Sequence, residues 1–372
     1  MGDTFPGRLG LQQRVLPSYR AGFLDAFAKA CQGGLSVFAG KPLSNEGIAT
    51  VDRLQIAQYV QAENRYFRDP SSPMFLCWQG GFLRWLEAWQ PDVLITEANP
   101  RYPATRMAIL WMHHKGRKVI GWGLGAPPIR GPFSGLRTWE RLGLLHSLDA
   151  IVAYSKQGAE QYRKLGLPPE RVYVAPNAVA PAPSFPLPQR ALQFNGRATV
   201  LFIGRLQPRK RVDLLIQACS SLPLELQPRL TVVGDGPARD ELCDLAQRIY
   251  PYVEFTGAKH GAELEPYFTE ADLFVLPGTG GLAIQQAMAH GLPVVVAQGD
   301  GTQDDLVRSE NGWQVQPDDL LSLSNILQQA LSDPVKLRQM GEASYRIVAE
   351  EINVEKMVEV FVRALNDLRK RE

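Results

Sequence analysis

The chain has 372 residues, 45% of them hydrophobic and 21% charged. That balance excludes a disordered polymer, and the length exceeds what one ordinary core holds, so two domains are expected. A formal net charge of +2 is too small to demand a nucleic-acid partner. Cys31, Cys77, Cys219 and Cys243 are scattered, with no Cys-x-x-Cys pair and no metal-ligand spacing, and they read as buried reduced thiols. The opening MGDTFPGRLG lacks the basic start and apolar run of a secretory signal. No stretch reaches the ~18 apolar residues of a membrane span. A soluble, cytoplasmic chain is therefore expected.

Short apolar runs alternate with helical patterns from end to end, the signature of parallel α/β sheets. In the first half the expected strands are Leu9–Val15, Leu35–Ala39, Val93–Glu97, Lys118–Trp122, Ile151–Tyr154 and Val172–Ala175. Helices such as AGFLDAFAKACQ, TRMAILWMHHKG and KQGAEQYRKLG fit between them. Trp78, Phe82, Trp85 and Trp89 fall at helical spacing, as a core stripe or as an acceptor groove or membrane-facing surface. The proline-dense PNAVAPAPSFPLPQ (176–189) supports neither helix nor ladder and reads as an inter-domain linker. The second half gives strands Val200–Gly204, Leu230–Gly234, Val253–Thr256, Leu273–Leu276, Val294–Ala297 and Gly312–Val315. The tail is helical, with a stripe at Val354, Met357, Val358, Phe361 and Leu365. The expected domains are 1–180, 181–350 and a C-terminal helix, 351–372, packing back on the first.

One segment carries most of the functional information. ADLFVLPGTGGLAIQQAMAHGLPVVV (271–296) reads as a buried strand, a glycine turn, an apolar helix and a second buried strand. A helix opening from a glycine turn beside a strand end offers orphan N–H donors and a favourable dipole to an anion. The motif TVLFIGRLQPRKRVDLLIQA places Arg205 and Lys210 directly after another strand. A guanidinium and an ammonium there would neutralise a diphosphate, although Arg205, Arg209, Lys210 and Arg211 could equally be a solvated charge run. In open sheets, ligands bind beyond the carboxyl ends of the strands, so loops that follow strands are where a site is expected.

GRLQPRK, VVGDGPARDEL, VEFTGA, the 271–296 segment and NGWQV occur in one order with natural spacing. Together they resemble the donor-binding domain of the family-4 (group 1) retaining glycosyltransferases of the GT-B fold. DAIVAYSKQGAEQYRKLGLPPERVYVAPNAV resembles that family's approach to its hinge. The resemblance covers about 150–350 and is only topological over 1–120. It implies an α/β GT-B architecture, two Rossmann-like doubly wound domains facing across a cleft. It implies transfer of a sugar from a nucleotide-diphosphate sugar to a glycan or lipid-linked acceptor, with retention and with no metal or further cofactor. No Asp-x-Asp occurs to hold a metal against the diphosphate. By resemblance Arg205 and Lys210, after Gly204, hold the donor diphosphate. Ala258 and Lys259 meet the nucleotide base. Thr279, Gly280, Gly281 and Leu282 meet phosphate and sugar, and Gln286 meets the ribose.

Several positions depart from the family pattern. Its two glutamates, seven residues apart across the glycine turn, are here Gly278 and Gln286. Gln286 can still hydrogen-bond a diol; Gly278 cannot contact a sugar. Loss of an anion there would suit an acidic or deoxygenated sugar. In GWGLGAPP, Leu124 stands about where the family often has a histidine, and RVLPSYRAG replaces a glycine pair with Pro17, Tyr19 and Arg20. Arg14, Tyr19, Arg20 and Leu124 are the acceptor-side candidates. Two alternatives stay open: a non-catalytic nucleotide-sugar-binding subunit, and a nucleotide-sugar epimerase.

Other polar residues divide between chemistry and structure. Asp300, Asp304 and Asp305 either orient sugar hydroxyls or cap a helix. His113 and His114 read as surface groups, and His290 as a helix-end contact. Ser155 lacks a nucleophile-elbow context. Arg130, Arg137 and Arg141, interleaved with Phe133 and Trp139, fit solvated charge or contact with an anionic or lipid-phosphate acceptor. The second of those readings makes the chain peripheral on the inner membrane face.

Overall fold

A computed structural model describes residues 3–370 except 71, 73, 132 and 300. The chain forms two compact units. One runs to Val179 and resumes at Val354; the other is Ala180–Asn353.

The first unit contains β1 (Leu9–Val15), β2 (Leu35–Gly40), β3 (Gln58–Gln61), β4 (Glu63–Phe67), β5 (Leu76–Gly80), β6 (Val93–Glu97), β7 (Lys118–Gly123), β8 (Ala150–Ala153) and β9 (Val172–Val174). Seven of them make a sheet in the order β3-β2-β1-β6-β7-β8-β9, every pair parallel. The chain builds outward from β1 to one side and from β6 to the other, so the order reverses between them. Strands such as AIVA in β8 are buried throughout, as a parallel sheet covered on both faces requires. The six strands expected here are present, with ends shifted by a residue or so. Two features escaped the sequence: edge strand β3, and the antiparallel hairpin β4–β5. Both have half-exposed polar alternation and little apolar signal.

The hairpin corrects one expectation. Trp78 lies in β5 and not on the helix Phe82–Trp89, so the four aromatic residues share no single face. Phe82 and Trp85 are core residues, stacked with Phe38 at 5.2 Å each. The helix Val354–Arg369 belongs to this unit. Its Phe361 ring lies 5.5 Å from Phe23, 5.3 Å from Phe27 and 5.1 Å from Trp122.

The second unit contains β10 (Thr199–Ile203), β11 (Arg229–Val233), β12 (Val253–Gly257), β13 (Leu273–Leu276), β14 (Val294–Ala297) and β15 (Gly312–Val315). They form a parallel sheet in the order β12-β11-β10-β13-β14-β15, reversing between β10 and β13. All six were expected. Segment 176–189 is neither helix nor strand, and the boundary between the units falls inside it. Buried Gln285 accepts the Ala180 N–H at 3.2 Å and donates to the Ile352 carbonyl at 2.6 Å. One side chain thus fixes both places where the chain enters and leaves this unit.

Candidate functional site

In the second unit the order reverses between β10 and β13, and ligands of open parallel sheets bind beyond the carboxyl ends at such a point. β10 delivers Gly204, Arg205 and the Gln207–Arg211 loop; β13 delivers Pro277 to Gly281 and the helix Leu282–Ala289. The two loops are sewn together. The Thr279 N–H donates to the Arg209 carbonyl at 3.0 Å, and Arg209 Nη1 donates to Thr279 Oγ1 at 3.1 Å. Lys210 Nζ donates to the Thr279 carbonyl at 2.6 Å.

Close approach explains both glycines. A Cβ at Gly278 would meet the Arg209 carbonyl and the Lys210 backbone, so a side chain there has no room. Gly280 has φ +101°, and a Cβ there would lie 2.5 Å from Lys210 Nζ and 3.9 Å from Arg209 Nη1. Two cations therefore converge on one glycine at the start of a helix whose N-cap, Gly281, supplies no side-chain acceptor. The Gly280, Gly281 and Leu282 N–H groups lie in that opening turn; that of Thr279 is already used. Burial, then the Arg209 charge, pulls the Lys210 pKa down to about 8. Unmet positive charge beside uncapped amides is what an oxyanion neutralises.

The charge run separates by partner. Arg211 is tied to Asp213 at 3.1 Å and to Asp318, a structural use. Arg205 is exposed and, among the described residues, makes no hydrogen bond or ion pair. Arg209 is the member that sequence reasoning left in the solvated run; its position beside Lys210 was the available signal. Ala258 is exposed and Lys259 half-buried on the turn after β12, and Gln286 is exposed on the helix Leu282–Ala289. Gly204 donates its N–H to the Val233 carbonyl at 3.0 Å. Gly234 and Gly236 pack against the Gly204 and Leu206 backbones with no space for a Cβ.

In the first unit the order reverses between β1 and β6. Arg14 is spent there, forked onto Glu46 at 2.9 and 2.7 Å, and so is a poor candidate for gripping an acceptor. Tyr19 and Leu124 are exposed, whereas Arg20 is buried. Sequence reasoning missed Glu97, the last residue of β6. It accepts the Arg14 N–H at 3.0 Å, and burial raises its pKa against the pull of Arg14, Tyr102 and Arg20. The strand end it occupies was legible.

Ser155, His113 and His290 have structural partners. Ser155 caps the helix Lys156–Lys164, accepting the Gly158 N–H at 3.0 Å. His113 pairs with Asp149 at 3.0 Å, and His114 is exposed. His290 contacts the Gln286 carbonyl at 2.8 Å and Glu265 at 2.7 Å. Asp304 is exposed and Asp305 buried in the helix Thr302–Leu306, whose N-cap is Gly301; Asp300 lies outside the described residues. Cys31, Cys77 and Cys219 are buried thiols and Cys243 is half-buried, none in a disulfide. No helix among the described residues is long and apolar enough to cross a membrane.

This architecture matches solved structures over nearly its whole length. The sucrose-phosphate synthase of Thermosynechococcus elongatus aligns over 98% of this chain and 100% of its own, with a TM-score of 0.71 at 18% identity. Anabaena HepE in complex with UDP aligns over 97% and 99%, with a TM-score of 0.67 at 17% identity. The fold is GT-B. Residues 187–347 match glycosyl transferases group 1 and residues 39–182 match glycosyltransferase family 4. Both matches are to glycosyltransferase families, and together they take in most of the chain. A GDP-mannose-dependent alpha-mannosyltransferase of Mycobacterium tuberculosis is 33% identical over 182 residues, 46% of this chain and 46% of that protein. The sulfoquinovosyl transferase SQD2 of Arabidopsis thaliana is 35% identical over 116 residues, 30% and 22% respectively. The chain thus spans less than half the length of these relatives.

Proposed function

We propose that the chain transfers a hexose-type sugar from a nucleotide-diphosphate sugar to a glycan or lipid-linked acceptor, with retention of anomeric configuration and without a metal. One observation carries the reading: Lys210 Nζ and Arg209 Nη1 converge on Gly280 at the uncapped opening of a helix, at the point where the sheet order reverses. The donor diphosphate lies there, with its charge met by Lys210, Arg209, the helix amides and the exposed Arg205. The acceptor hydroxyl attacks the anomeric carbon on the face the diphosphate leaves. The new C–O bond forms as the bond to the β-phosphate breaks, and the hydroxyl proton passes to the departing phosphate oxygen. The protein stabilises the departing charge and supplies no nucleophile. The nucleotide sugar is a co-substrate, and no other cofactor enters the scheme.

By the resemblance, Gly278 leaves the sugar side without the family carboxylate, and Gln286 leaves the ribose side without one. That supports an acidic or deoxygenated donor sugar, since a like charge beside an acidic sugar is costly. The test is release of nucleoside diphosphate across a panel of neutral, deoxy and uronic nucleotide sugars, with and without acceptor extract. Release that depends on acceptor is expected. Binding without release identifies a non-catalytic subunit, and conversion of the donor without acceptor identifies an epimerase. Turnover of neutral hexoses alone overturns the acidic-sugar part.

A lipid-linked acceptor, met at a membrane surface, is supported by the helix Ser134–His146 and its approach. Phe133 is 76% and Trp139 69% exposed, and Leu136 and Leu110 are exposed nearby. Arg106 bonds the Glu140 carbonyl at 2.9 Å, which places a second helix's arginine on that face. Arg130 and Arg137 share the segment with these apolar side chains; Arg141 instead donates to the Pro127 carbonyl at 2.5 Å. Exposed aromatic and aliphatic groups on a segment that also carries arginines suit an anionic interface.

A further inference from the structure

Arg20 poses a problem that packing alone does not solve. It follows β1 and is only 4% exposed. Its guanidinium lies 4.6 Å from the Trp122 ring, 5.2 Å from Tyr154 and 5.4 Å from Tyr19. Among the described residues its side chain makes no hydrogen bond, and Nη1 is fully buried without a partner. A guanidinium has five N–H donors and no way to neutralise itself, so burial without an acceptor is strongly unfavourable. Aromatic faces offset part of that penalty and supply no hydrogen-bond acceptor.

Two further orphans lie in the same unit. Trp122 Nε1 and Asn177 Oδ1 are buried with no partner among the described residues. The Asn177 backbone is tied to the residue whose ring lies beside Arg20, its N–H donating to the Tyr154 carbonyl at 3.3 Å. All three residues stand at the carboxyl ends of strands or just past them: Arg20 after β1, Trp122 near the end of β7, Asn177 after β9. That is the edge at which a parallel sheet receives ligands. Glu97, whose field reaches Arg20, is no full counter-ion. It is committed to the Arg14 N–H and the Tyr102 hydroxyl, and its burial favours the neutral carboxyl.

We infer that Arg20, Trp122 and Asn177 form a second anion site, separate from the glycine turn, which takes an oxyanion group of a small molecule. The guanidinium grips two oxygens, the indole N–H donates to a third position, and the Asn177 carboxamide oxygen receives a ligand hydroxyl. That this oxyanion belongs to the sugar acceptor rests on the proposed transfer; the binding itself does not.

The full-length protein is titrated with inorganic phosphate and, separately, with acetate, and the thermal midpoint is read. Wild type and Lys210→Ala, which disables the glycine-turn site, are compared with Arg20→Met and Arg20→Lys, each made also in the Lys210→Ala protein. Phosphate, acetate or both should raise the midpoint of Lys210→Ala, and not that of a protein carrying Arg20→Met together with Lys210→Ala. The arm that responds separates a phosphate from a carboxylate ligand. Without anion, Arg20→Met should be at least as stable as wild type, because an unpaired buried charge has been removed. Arg20→Lys keeps the charge, loses the fork, and should bind at least tenfold more weakly. An anion response unchanged when Arg20→Lys is added to Lys210→Ala, no response in Lys210→Ala, or an Arg20→Met variant that is destabilised without anion overturns the inference. Nucleoside diphosphate binding within twofold of wild type in Arg20→Met is also required. Failure of the donor reading shows differently, as diphosphate binding unaffected by Lys210→Ala.

Discussion

Lys210 is held between two demands. Burial and Arg209 disfavour its charge, while the Thr279 carbonyl anchors it against the glycine turn. With a pKa near 8 the free protein loses this cation as pH rises through that value, so kcat/KM should fall on the alkaline side with a midpoint about 8. Lys210→Arg should move that limb out of range, since a guanidinium stays charged. A pH–rate profile of both proteins checks this. Lys210→Ala should lower kcat/KM by about 10²- to 10³-fold, the usual scale for one charge-stabilising group, with the thermal midpoint nearly unchanged. Steady-state kinetics beside a melting curve measure the two together; an unaltered kcat/KM contradicts the role. Gly278 answers a separate question. The Arg209–Lys210 backbone occupies the space that any side chain at this position would need. Gly278→Glu should therefore destabilise the unit by about 1–3 kcal/mol, as overpacking does, and should not restore a neutral-sugar preference. Denaturant midpoints and the donor panel decide it.

At the level of elements, legibility followed the strength of the apolar signal. Buried parallel strands such as VLIT in β6 and VVVA in β14 are continuous apolar runs, and their positions were plain. β3 (QYVQ) and the hairpin β4–β5 were not. Their residues alternate on a half-exposed surface, and they are held by polar contacts between residues far apart in sequence. Gln79, for example, bonds Asn64 at 2.9 Å and the Gln13 carbonyl at 3.1 Å. Trp78 misled for the same reason, since helical spacing says nothing about a strand that ends just before the helix begins. At the candidate site, the glycine turn and Lys210 stood out in the sequence because loops after strands are where open sheets bind ligands. Arg209 was hidden inside a charge run; only the partners of Arg211, Asp213 and Asp318, show which members are structural. Glu97 and the isolation of Arg20 depend on packing that spacing does not encode. The exposed face of the helix Ser134–His146 makes its own prediction. Trp139→Ser with Leu136→Ser should leave stability unchanged and abolish cosedimentation with vesicles containing anionic lipid. Wild type that ignores such vesicles removes the membrane reading.

Across the whole molecule, the C-terminal helix is the longest-range contribution to either core. Phe361 touches Phe23, Phe27 and Trp122, so Phe361→Ala should cost about 3–5 kcal/mol and unfold the first unit at lower denaturant. Diphosphate binding by the second unit should survive, because its sheet, its core and its glycine turn are formed without that helix. The account as a whole depends on a cationic pair and a helix opening acting on one pyrophosphate. Calorimetric titration of wild type, Lys210→Ala and Arg209→Gln with uridine and guanosine diphosphates tests that most directly. Saturable binding of at least one nucleotide by wild type, weakened tenfold or more in each variant, is expected. Equal affinity in all three proteins, or no binding to any of them, contradicts it.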